Sequence, residues 1–156
     1  MTQPTDERTL LETMLETQRR EVAGLLTGLA DASARERLVR SLTTPLGLVK
    51  HATFVEGVWF HSRGAGVPRS ALGLPATVDE SFVLDPEDTV ESVAAAHAEA
   101  CARSREIAAE HELDEVFEWH GSQVSLRFIY LHMVAELARH AGHGDILVEQ
   151  LNERTG

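Results

Sequence analysis

An all-α fold, specifically a four-helix bundle, follows from three features of the chain. Strong helix formers, Ala, Leu, Glu and Arg, dominate its composition. Apolar residues recur at spacings of three and four through four long segments. Gly, Pro and β-branched runs are concentrated in the stretches between them. At 156 residues the chain is of single-domain size and long enough to bury roughly two-thirds of its unfolded surface, so residues 1–156 are read as one helical domain.

The first segment, from about Thr5 to Leu29, puts Leu11, Leu15, Gln18, Val22, Leu25 and Leu29 on one stripe. A polar stretch, Ala30 to Thr43, is expected to hold a turn or minor helix around Ala34 to Val39. Thr44-Pro45 then offers a capping hydroxyl followed by proline at the first helical position. Helix two is predicted to run to about Ser62, with Leu48, His51 or Ala52, Val55, and Val58 or Trp59 facing inward. Arg63 to Leu84 holds Gly64, Gly66, Gly73, Pro68 and Pro75 and lacks helical periodicity. Such a length reads as a long crossover connection between helices two and three, or as a lid.

Asp85-Pro86-Glu87-Asp88 is expected to restart a helix, with Asp85 as cap and acids near the positive end of the dipole. Helix three continues to about Glu110 through Val93, His97, Ala100, Cys101, Ser104 and Ile107. His111 to Ser122 reads as a polar loop. Ser125 is expected to cap a last helix to about Leu151, whose inward stripe is Leu126, Ile129, Met133, Glu136 or Leu137, His140, His143 or Gly144, and Leu147.

Lys plus Arg total 14 against 25 Asp plus Glu, a net charge of −11, and the basic residues are scattered. A nucleic-acid partner is therefore disfavoured. The polar start, Met1 to Asp6, has no leader character, and no apolar run approaches a membrane span, so a cytoplasmic protein is expected. Cys101 is the only cysteine, which excludes an intrachain disulfide and a Cys-rich zinc site; it is read as a small packed core residue, with a reactive thiol as the alternative. Small and apolar residues to spare on helices one and three make a homodimer an option.

Glu136 on a stripe that should be dry needs compensation, because a lone buried carboxylate is neutralised or destabilising. His140, one turn later, projects from the same face, and His51 on helix two is flanked by Leu48 and Val55. Two imidazoles and a carboxylate converging from two helices form a three-residue divalent-metal site with an open fourth position. Zinc is the default, while nickel, iron and manganese accept the same ligands. The alternative is a buried hydrogen-bond network without metal. His132 and His143 border the stripe as residues that orient a ligand or line the pocket, or replace a ligand if the register slips. His97 is expected in the core, and His61, His111 and His120 in solvent. Glu56 is read as a surface ion-pair residue. Arg63 and Arg69 in the long connection are read as solvated cations or as carboxylate binders.

The segment from Ser125 through His132, Glu136, His140 and His143 to Leu147 resembles the last-helix signature of the DinB-like metalloprotein superfamily, and is most similar to its actinobacterial branch. Leu48 to Glu56, with His51 followed five residues later by Glu56, resembles the superfamily's helix-two motif. The resemblance covers nearly the whole chain. It implies metal ligands at His51, Glu136 and His140. Glutamate at 136, where many members have histidine, is similar to mycothiol-dependent maleylpyruvate isomerase. What this implies is a metal-activated thiol, with mycothiol as the candidate, in an S-transferase or isomerase acting on a small molecule. Metal-assisted hydrolysis and a non-catalytic metal-binding module are the alternatives.

Overall fold

In the computed structural model, which describes residues 6–155 except the side chain of Thr155, the chain is mostly helical, with one small hairpin. Helix α1 (Glu7–Gly24) is capped by Asp6, whose carboxylate accepts from Thr9 N at 2.9 Å. Thr5, the expected start, lies outside the described residues. The helix ends five residues before Leu29, in a turn closed by Gly28 at φ 76°, a left-handed conformation that favours glycine. The minor helix is α2 (Asp31–Ala34), upstream of the expected Ala34 to Val39.

Helix α3 (Pro45–Glu56) begins as anticipated, with Thr44 Oγ1 accepting from Gly47 N at 3.0 Å and Pro45 in the first turn. It runs on as a π-helical segment, Gly57–Gly64. The connection to the next long helix carries two short 3-10 turns, Arg69–Leu72 and Asp79–Phe82. Asp85 does not cap that helix. Instead, Lys50 Nζ holds the Asp85 and Asp88 carboxylates at 2.9 and 2.6 Å, and Asp88 Oδ2 accepts from Asp85 N, folding these residues into a separate turn. Helix α4 (Val90–Ala109) starts from a reciprocal Thr89–Ser92 capping box.

The expected polar loop contains an antiparallel hairpin, β1 (Val116–Trp119) and β2 (Ser122–Ser125), turning through His120 and Gly121 at φ 51° and 76°. Two positive φ values are what a two-residue hairpin turn needs. The Val-Phe-Glu-Trp alternation before a Gly-containing dipeptide was the signal for it. Helix α5 (Leu126–Thr155) follows, with Ser125 Oγ accepting from Phe128 N.

The four long helices close a ring: α1 packs on α5, α5 on α3, α3 on α4, and α4 on α1. Leu15, Val22, Leu46, Val49, Phe60, Ile129, Met133 and Leu137 fill its centre. The approach of α1 to α5 is close enough that a Cβ on Gly144 would overlap Leu25 Cδ1 at 2.3 Å. Among the described residues no helix is long and apolar enough to cross a membrane.

Candidate metal centre

Helix α3 is covered on nearly every side, with ten of its twelve residues buried, and it carries His51 into the bundle at 1% exposure. Across from it, α5 presents Glu136 and His140 one turn apart. His51 Nε2 lies 3.1 Å and His140 Nε2 3.0 Å from the same oxygen, Glu136 Oε1. One ligand atom from each of the three lies within 4.8 Å of the others. The structure thus brings together the three residues singled out as ligands.

The proton inventory of this cluster is informative. Ser81 has one hydroxyl proton, which it donates to the Val78 carbonyl. Its oxygen is therefore free only to accept from His51 Nδ1–H, at 2.7 Å. In that tautomer the neutral ring turns the Nε2 lone pair toward Glu136. The carboxylate is itself an anion, since the hydrogen bond from His140, before all else, holds its carboxyl well below the usual range. A lone pair and an anion at 3.1 Å repel unless a positive charge lies between them, as a proton or a metal ion. The donor set suits a divalent cation, and His140 Nδ1 is buried without a hydrogen-bond partner among the described residues.

Two residues of the centre were not found from sequence. Ser81 is one. The other is Phe82, whose ring stacks on His51 at 4.1 Å and 11° and meets His140 edge-on at 6.0 Å. Both sit in the aperiodic connection, where no pattern marks a side chain as inward. His132, one turn before Glu136, is half-buried against Trp59 at 4.3 Å, and burial lowers its pKa. His143 is exposed, its ring 5.8 Å from His140.

Glu56 is a correction. Its side chain does point away from His51, but with α3 covered all round it meets the core rather than solvent. It is fully buried and clamped by Arg19 Nε and Nη2 at 2.8 and 2.7 Å. His97 and Cys101 are buried beside it, as expected, and burial pushes the Cys101 thiol up to about 12. His61 and His111 are half-buried rather than in solvent, the first against Ala100 O and Ser104 Oγ, the second paired with Glu115. His120 is exposed.

Neither the curated proteins nor the solved structures give a match. A family model described as mycothiol-S-transferase matches residues 10–153, a span that includes both helices of the His51–Glu136–His140 cluster. The chain belongs to the mycothiol S-transferase family, within the DinB-like superfamily.

Proposed function

We propose that this protein is a divalent-metal-dependent enzyme that transfers or rearranges groups through the thiol of mycothiol, with His51, Glu136 and His140 holding the metal. The observation that carries this reading is the facing of two acceptors, His51 Nε2 and Glu136 Oε1, at 3.1 Å. Zinc is the first choice because two imidazoles and one carboxylate with an open position suit it, while nickel, iron and manganese fit the same donors. A cation held there supplies Lewis-acid chemistry, lowering the pKa of a bound thiol so that the thiolate is available near neutral pH.

The remaining work falls to the chain itself. Ser81 keeps the His51 proton on Nδ1, which fixes the ring's orientation and leaves Nε2 as a donor of electrons. Phe82 covers the face of His51 and keeps water from that side. Glu136 neutralises charge and draws both imidazoles onto one point. His132, whose pKa is lowered by burial, would be the base that accepts a thiol proton.

Cobalt substitution of the purified protein followed by addition of mycothiol tests this reading. The expected result is a change in the cobalt absorption spectrum, with turnover of electrophilic substrates that His51→Ala abolishes. A stoichiometric metal whose spectrum ignores the thiol would contradict it, and a His51→Ala variant that only melts earlier would favour a non-catalytic module.

A further inference from the structure

A second polar pocket is built on the end of the π-helical segment and the connection beyond it. The π-helical segment that follows α3 ends near Arg63, whose guanidinium stacks 4.0 Å from the Trp59 ring centroid. Its Nε donates to the Glu118 carbonyl at 3.1 Å, while its Nη1 is buried without a hydrogen-bond partner among the described residues. Arg69 lies over Phe54 at 5.2 Å and donates to the carbonyls of Pro75 and Ala76. Both guanidiniums line one pocket of about 330 Å³, together with Val58, Ser62, Val67 and Pro68. Glu118, also on its rim, turns its carboxylate to Gly121 N at 2.7 Å.

In a chain of net charge −11, Arg19, Arg105, Arg127 and Arg154 each meet a carboxylate. Among the described residues Arg63 and Arg69, like Arg35 and Arg37, hydrogen-bond only to backbone carbonyls, and of these four they alone also lie over aromatic rings. Burial, and then the nearby Arg69 charge, lower the pKa of Arg63. Two converging guanidiniums, one with a buried unused N–H, form a fork suited to a planar bidentate anion. Trp59 touches both Arg63 and His132, the latter one turn before Glu136 on α5, and so connects Arg63 to the helix that carries two of the three cluster residues.

We infer that the Arg63–Arg69 pocket binds a carboxylate carried by the small-molecule acceptor on which the thiol acts. The role as acceptor rests on the function proposed above, whereas carboxylate binding by the pocket does not.

Calorimetric titration of the metal-loaded protein with succinate, neutral succinamide and inorganic phosphate, at fixed ionic strength, tests the inference. Succinate should bind and succinamide should not. Arg63→Gln and Arg69→Gln should each weaken succinate binding at least tenfold with metal content unchanged. Absence of succinate binding at millimolar concentration would overturn the proposal, as would affinity unchanged in both variants, which would put the anion on the metal. Phosphate binding tighter than succinate would overturn the assignment to carboxylates. Succinate binding that persists while mycothiol leaves the cobalt spectrum unchanged would sink the thiol reading and leave the pocket standing.

Discussion

Two carboxylates reach the interior of this bundle, and they are completed in different ways. Glu56 is matched within the chain: Arg19 contacts both of its oxygens, and the remaining Arg19 nitrogen reaches Glu16. Glu136 receives two imidazoles on one oxygen, one of them presenting a lone pair, and its partner His140 keeps a buried nitrogen unused. The first arrangement is closed and needs nothing from outside. On the function proposed above, the second is completed by a cation from outside, and this difference would separate a structural ion pair from a site.

Removing the closed pair should have the largest effect. Glu56→Ala leaves Arg19 charged and unmatched in the core and is expected to cost about 3–5 kcal/mol in urea unfolding. Replacing both residues by apolar ones of similar volume should recover much of that loss, since a buried pair is weak evidence of net stabilisation. Opening the other site should act through metal. Glu136→Ala is expected to abolish metal-dependent stabilisation, which for the parent amounts to about 2.7 kcal/mol at metal a hundredfold above its Kd, and to change the metal-free melting temperature little.

A smaller effect sharpens the contrast through pH. Burial lowers the pKa of His97, next to Glu56, from the 6.5 of an unfolded chain. Below that value the unfolded state binds the extra proton first, so stability falls as pH drops from 6.5 toward the folded pKa. His97→Gln should flatten this acid limb by up to about 1.4 kcal/mol per pH unit, measured by chemical unfolding from pH 7 to 5. Smallest of all, Gly121→Ala in the hairpin turn meets no atom within 4 Å. It should cost only the backbone strain of φ 76°, about 1–2 kcal/mol, with metal content untouched.

The legibility of these regions in sequence differed for physical reasons. His51, Glu136 and His140 stood out because each interrupts an apolar stripe on a long helix, where the 3.6-residue period assigns a direction to every side chain. Glu56 was misread because periodicity gives direction but not cover. On a helix buried all round, the face opposite the site is also interior. Ser81 and Phe82, which orient and shield His51, belong to a connection with no period to read. Asp85 looked like a cap because its acids and proline fit that role, but Lys50, distant in sequence, diverts them.

The central claim is that Glu136 lacks a charge which a metal supplies, whereas Glu56 lacks nothing. Elemental analysis of untagged protein purified without chelators, alongside Glu136→Ala and the apolar double replacement of Arg19 and Glu56, measures this directly. The account requires about one divalent ion per chain in the parent and in the double replacement, and essentially none in Glu136→Ala. A folded parent that takes up no metal, or equal metal in the parent and Glu136→Ala, would contradict it.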